Sequence, residues 1–254
     1  VPIAVGLALA GVWASYWSSD KIVMKMTNAK VIDHATAPQL FNVVDEVRIA
    51  AGLPMPTVAI VDDPAPNAFA TGRDPDHAVI AFTTGLLATM DRAQLQGVTA
   101  HEMAHVGNRD TLVMAVAATT AGLIAIIADI GIRMSFFTRR DEGSNPIAAI
   151  AGIVILLLAP IAALLMRSAV SRKRESLADA TAVQFTRNPA GLRRALETLA
   201  ADSTVVHERS NAVSHVWIES PLEGKSKSLF DTHPPISERI EILRAMEQSG
   251  PGPA

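Results

Sequence analysis

The chain has 254 residues, 49% of them hydrophobic and only 4% aromatic, with a formal net charge of −3 at pH 7. That charge gives no basis for nucleic-acid binding, and a mean hydropathy of +0.27 is high for a water-soluble domain and points to membrane content. With no cysteine in the sequence, disulfides, thiolate ligands and cysteine nucleophiles are excluded, and any metal site must use His, Asp or Glu.

Residues 1–19 carry no charge and suit a membrane anchor, which needs about 18–20 apolar residues. The chain starts at Val1 rather than methionine, so further membrane segment is expected upstream. After Lys21, Lys25 and Lys30, the stretch "TAPQLFNVVDEVRIAAGLP" predicts a helix. Pro38 sits in its first turn, Gly52 at its end, and Leu40, Val43, Val44 and Val47 share one face. Three strand-like runs follow, "TVAIVDD", "NAFATG" and "HAVIAFT", punctuated by Pro, Gly and Asp. Pro64 and Pro66 cannot donate to a ladder and place "NAFATG" at a sheet edge. Backbone pairing along Asn67, Ala68, Phe69 and Ala70 would hold an extended polypeptide whatever its side chains.

The next stretch, "VTAHEMAHVGNRD", carries the chemistry. His101 and His105 are four apart and share one face of a helix, so both imidazoles can meet one ion. Glu102 follows the first histidine directly. This is the H-E-x-x-H pattern of two zinc ligands and a carboxylate base. Asp91 with Gln94 forms a predicted capping box, and Leu95, Val98 and Met103 give the helix an apolar face.

Two long apolar stretches come next. Residues 111–128 are free of charge, and the run stays apolar to Phe137 apart from Asp129 and Arg133; residues 143–166 are again charge-free, with Pro160 expected to kink them. Together, residues 111–166 read as a hairpin that crosses a membrane and returns. Beyond "RSAVSRKRE", helices are predicted in "ESLADATAVQFT" and "RNPAGLRRALETLA". Residues 201–230 look loop-rich, and "HPPISERIEILRAMEQ" closes the chain as a helix opened by prolines. Lys21, Lys25, Lys30, Arg109, Arg167, Arg172, Lys173 and Arg174 flank the spans on one side, which the charge-bias rule assigns to the cytoplasm.

A catalytic zinc takes three protein ligands and a water. Asn108 and Thr111 stand where a metzincin would have Gly and His, so the third ligand lies further on and is a carboxylate or another His. Glu175 is the choice: it opens a helix as the chain leaves the hairpin, with Asp179 one turn on as an acceptor for a ligand's second N–H. Glu197 and Glu219 lack such a partner, and Glu142 falls on the far side of the membrane. His233, held between Thr232 and two prolines, is the candidate donor to the oxyanion of peptide hydrolysis. His34, His77, His207 and His215 fit no pattern and read as surface residues.

"HEMAHVGNRD", "ESLADATAV", "PAPNAFATGR" and "HPPISERI" together resemble the HtpX family of membrane-integral zinc metalloproteases, related to the CAAX prenyl proteases. The resemblance runs through nearly the whole chain in order. It implies an N-terminal anchor, a cytoplasmic gluzincin domain and a membrane hairpin between the histidine motif and the glutamate ligand. It implies His101, His105 and Glu175 as ligands of one zinc ion per chain, and Glu102 as base. It implies residence in a bacterial-type inner membrane and hydrolysis of misfolded or damaged membrane proteins in quality control. The family has two spans before the domain where this chain has one. The expected fold is α+β and mainly helical: a zincin-like domain with a small edge-exposed sheet and transmembrane helices. Its expected parts are an anchor at 1–19, catalytic portions at 20–110 and 167–254, and the hairpin at 111–166. The alternative is a catalytically inactive zinc-binding membrane scaffold, which would have no need of Glu102.

Overall fold

The computed structural model describes residues 20–113, 172–202 and 235–249, with residues 10, 13, 17 and 18 ahead of them. Most of the expected anchor, the expected hairpin beyond residue 113, and His233 lie outside the described residues. Among the described residues no helix is long and apolar enough to cross a membrane.

Among the described residues, four strands form one sheet: β1 (Lys30–Val31), β2 (Thr57–Val61), β3 (Ala68–Thr71) and β4 (Val79–Thr83). Their order is β1-β2-β4-β3. The outer pairs are antiparallel, and the central pair β2–β4 is parallel, with Thr57 opposite Val79 and Val61 opposite Thr83. Successive residues point to opposite faces, and both faces are covered. Val58, Ala68, Ala70, Ile80 and Phe82 join the main core, while Ala59, Val61, Phe69, Val79 and Ala81 join a second core on the other side. Double burial explains why "HAVIAFT" reads as a continuous apolar run.

Among the described residues, the helices that frame the site are α1 (Pro38–Ala51), α2 (Thr84–Thr89), α3 (Arg92–Gly107), α4 (Arg172–Thr186), α5 (Pro189–Ala201) and α6 (Ile236–Ser249). The predicted face of α1 is the buried one, and Gly52 ends the helix in the left-handed region at φ 67°. The capping box of α3 is formed in both directions, Asp91 accepting from the Gln94 backbone and Gln94 from that of Asp91. Strand β1 is too short to have been read from the sequence, and α2 follows β4 without a break. Thr83 joins those two by accepting from the Leu86 N–H at 3.1 Å.

Helix α3 is the hub. It packs against α1, α4, α5 and β3, and every residue from Gly97 to Val106 is buried. Such a helix cannot be amphipathic, since it has no solvent face to make polar. Its approach to α5 depends on glycine. A Cβ at Gly97 would lie 2.5 Å from the Leu192 nitrogen, and one at Gly191 would lie 2.5 Å from the Ala93 carbonyl oxygen.

Among the described residues β3 is an outer strand of the sheet, as "NAFATG" predicted, but it is not exposed. Asn67, Ala68, Phe69 and Ala70 are all 2% accessible or less. The reason is the double core: Ala68 and Ala70 pack on one face and Phe69 on the other.

Candidate metal centre

The buried middle of α3 brings His101, Glu102 and His105 into the interior, at 1%, 2% and 6% accessibility. The imidazole Nε2 atoms of His101 and His105 stand 3.1 Å apart. Glu175, in the first turn of α4, faces both. Its Oε2 is 3.5 Å from His101 Nε2 and its Oε1 is 3.5 Å from His105 Nε2. These three side chains form a buried group that could hold a metal ion.

The outer nitrogen of each imidazole is held by an aspartate. His101 Nδ1 donates to Asp179 Oδ1 at 2.9 Å, and His105 Nδ1 donates to Asp110 Oδ2 at 3.0 Å. Each bond fixes the tautomer that leaves the Nε2 lone pair free, which is what a metal ligand requires. Asp179 was expected in this role from its spacing to Glu175; Asp110 was not.

Arg239 is the larger omission. Its guanidinium, 3% exposed, grips Asp179 with two parallel bonds, Nε to Oδ2 at 2.8 Å and Nη2 to Oδ1 at 2.7 Å. Its Nη1 lies 3.4 Å from Glu175 Oε2. The sequence did carry a signal. Ile236, Ile240 and Leu243 mark the apolar face of α6, and Arg239 falls on that same face. A charge there demands a buried partner.

Electrostatics favour a cation. Four carboxylates, on Glu102, Asp110, Glu175 and Asp179, are buried together. Among the described residues, the guanidiniums of Arg239 and Arg174 face them as fixed positive charge. The donor set fits as well. Two imidazoles and a carboxylate suit zinc, and two nitrogens bound tetrahedrally at about 2.0–2.1 Å stand roughly 3.3 Å apart, close to the observed spacing.

Burial pushes the Glu102 carboxyl above its usual range, and the nearby His101 and His105 pull the other way. Burial would raise Asp179 too, but the Arg239 guanidinium and the bond from His101 hold it down to about 2. For His101, burial and the Arg239 charge favour the neutral ring; the Asp179 and Glu175 carboxylates outweigh them and raise its pKa to about 9.

The profile of peptidase family M48 matches residues 34–247. The chain belongs to peptidase family M48. It is 45% identical over 241 residues to a protein called Protease HtpX homolog from Caldanaerobacter subterraneus, covering 92% of this chain and 80% of that one. A protein of the same name from Acidiphilium cryptum is 46% identical over 252 residues, covering 97% of this chain and 87% of that one. The crystal structure of Ste24p from S. mikatae shares the fold, with a TM-score of 0.55 at 19% identity; the match covers 95% of this chain and 57% of that one. Family and relatives agree with the resemblance read from the four motifs: this M48 chain is a metalloprotease.

A ligand must be deprotonated to bind metal. With the His101 pKa near 9, the metal-free site carries a proton there at neutral pH, and metal has to expel it. Metal affinity should therefore rise about tenfold per pH unit from His101 alone and level off near pH 9. Calorimetric titration of the metal-free protein with zinc, in buffers of different ionisation heat, should register the released proton at pH 7. Affinity that is flat between pH 6 and 8 contradicts this assignment.

Proposed function

We propose that this chain is a membrane-integral zinc endopeptidase with His101, His105 and Glu175 as ligands and Glu102 as general base. The observation that carries the reading is the convergence of these ligands in a buried pocket whose imidazoles are pre-set by Asp179 and Asp110. Bound zinc would supply Lewis acidity, polarising the scissile carbonyl and acidifying a water. The protein does the rest. Asp179 and Asp110 fix the ligand tautomers. Glu102 takes the proton of the attacking water at its carboxylate and passes it to the leaving amine. Its raised pKa suits the first transfer, since a more basic carboxylate takes the water's proton more readily. His233, in "THPP", is assigned as donor to the oxyanion.

For substrates we favour misfolded or damaged membrane proteins, laid along β3 by backbone pairing at Asn67, Ala68, Phe69 and Ala70. That β3 is the outer strand among the described residues and packs against α3 supports this. Its burial means that the edge has to be uncovered when substrate arrives. A peptide N-methylated at alternate backbone positions should then be cleaved more slowly than its parent; equal rates would remove the pairing model.

The site residues define the first test. Glu102→Gln should keep zinc and lose casein cleavage, while His105→Ala and Glu175→Ala should lose both. His233→Ala should lower kcat by about 10²–10³ with zinc retained. Wild-type cleavage by Glu102→Gln would refute the mechanism. Location is the second. The apolar runs at 1–19 and 111–166 and the basic residues beside them support an inner-membrane protein with its catalytic domain in the cytoplasm. Because the chain has no cysteine, single cysteines at Ser144 and Ser228 can be labelled with an impermeant reagent. They should react from opposite sides of sealed vesicles, and reaction of both from one side would rule out a crossing hairpin.

A further inference from the structure

His105 is held from outside the helix that carries it. Helix α3 ends at Gly107, Asn108 keeps a helical backbone, and Arg109 turns into the left-handed region at φ 59°. A non-glycine residue rarely adopts that conformation. The turn brings Asp110, 8% exposed, back beneath the ligand, where its Oδ2 accepts from His105 Nδ1 at 3.0 Å. Its other oxygen, Oδ1, is 3.0 Å from Arg174 Nε, and Arg174 Nη2 donates to the Asp110 backbone carbonyl at 3.2 Å. Arg174 immediately precedes the ligand Glu175, and the two partners lie 64 positions apart in the chain.

We propose that Asp110 and Arg174 are a positioning pair: Arg174 orients Asp110, Asp110 sets the tautomer and angle of His105, and the pair locks the strand-and-helix half of the metal centre to the half carried by α4. Three features carry this. The left-handed turn that ends α3 at Arg109 carries Asp110 to within 3.0 Å of His105 Nδ1. Arg174 reaches both the side chain and the backbone of Asp110, so it fixes the whole residue rather than just neutralising it. The arrangement also parallels Arg239, Asp179 and His101 on the other ligand, so each imidazole is backed by an aspartate and each aspartate by an arginine. A long chain segment leaves the site at Asp110 and returns at Arg174. The pair closes that segment at the point where both ligand-bearing helices begin or end.

The inference rests on the zinc reading above, and the experiment separates the two. Zinc affinity of the full chain is measured by competition with a chromophoric chelator, and cobalt-substituted protein is examined by visible absorption. If wild type binds neither metal, the zinc reading fails first. With wild-type binding in hand, Asp110→Asn should weaken zinc by about 10–100-fold and shift the cobalt bands. Arg174→Met should weaken it by about 3–10-fold, Arg174→Lys by less, and the double variant no more than Asp110→Asn alone, because Arg174 acts through Asp110. Arg92→Ala, which removes an exposed pair with Glu46, is the control and should change nothing. Circular dichroism of the metal-free variants identifies any that do not fold; Arg174→Lys then carries the comparison. Unchanged affinity and unchanged cobalt bands in both Asp110→Asn and Arg174→Met overturn the proposal, as does a double variant whose losses multiply.

Discussion

Arg239 and Asp179 form the ion pair on which the rest of this molecule turns. It lies in the interior, with side chains 3% and 4% exposed and contacts of 2.7 and 2.8 Å. A buried pair of this kind gains little over a well-packed apolar pair, yet removing one partner strands the other charge at a cost of about 3–5 kcal/mol. The structure therefore keeps both, and keeping both fixes where three helices go. Asp179 belongs to α4, Arg239 to α6, and the next link, His101, to α3. The last helix of the chain is pinned over the metal centre because its one buried charge has only that place to go.

Helix α3 pays for its position with its amphipathicity. It is enclosed by α1, α4, α5 and β3, so the polar side chains of its buried stretch cannot reach water and have to find partners inside. Thr99 bonds to the Leu95 carbonyl at 2.7 Å, and Gln94 reaches Thr198 on α5 at 2.8 Å. His101 and His105 find aspartates. The glycines at 97 and 191 let α3 and α5 approach until backbone meets backbone, which leaves the histidine-bearing face turned toward α4. Rigid enclosure of this kind is what a catalytic centre needs, since ligand geometry is lost when the surrounding packing is loose.

The same enclosure makes the centre a competition between a proton and a metal. With no ion present, the excess of carboxylates holds a proton on His101 to about pH 9. A divalent cation satisfies the same carboxylates and needs that nitrogen free. The acidic surroundings thus attract the metal and also supply its competitor, and the arginines set the balance by neutralising part of the carboxylate charge.

Much of this was legible in the sequence. The spacing of His101 and His105, the capping box at Asp91, the apolar face of α1 with its closing Gly52, and the Glu175–Asp179 pair are all local patterns. Helical and strand periodicity depend on residues within a turn of one another, so the sequence by itself determined which side chains share a face and where the longer described helices and strands run, though not β1 or α2. It did not determine which distant charge would meet which. Asp110 reaches His105 only because Arg109 turns the backbone, and Arg239 reaches Asp179 only because α6 packs back across the site. Among the described residues strand β3 is the outer strand it was read to be, but its side chains are buried by two cores closing on its two faces. Partner choice among buried charges, and the cover over a sheet edge, are set by how segments far apart in the chain pack together, and only the tertiary structure could decide them.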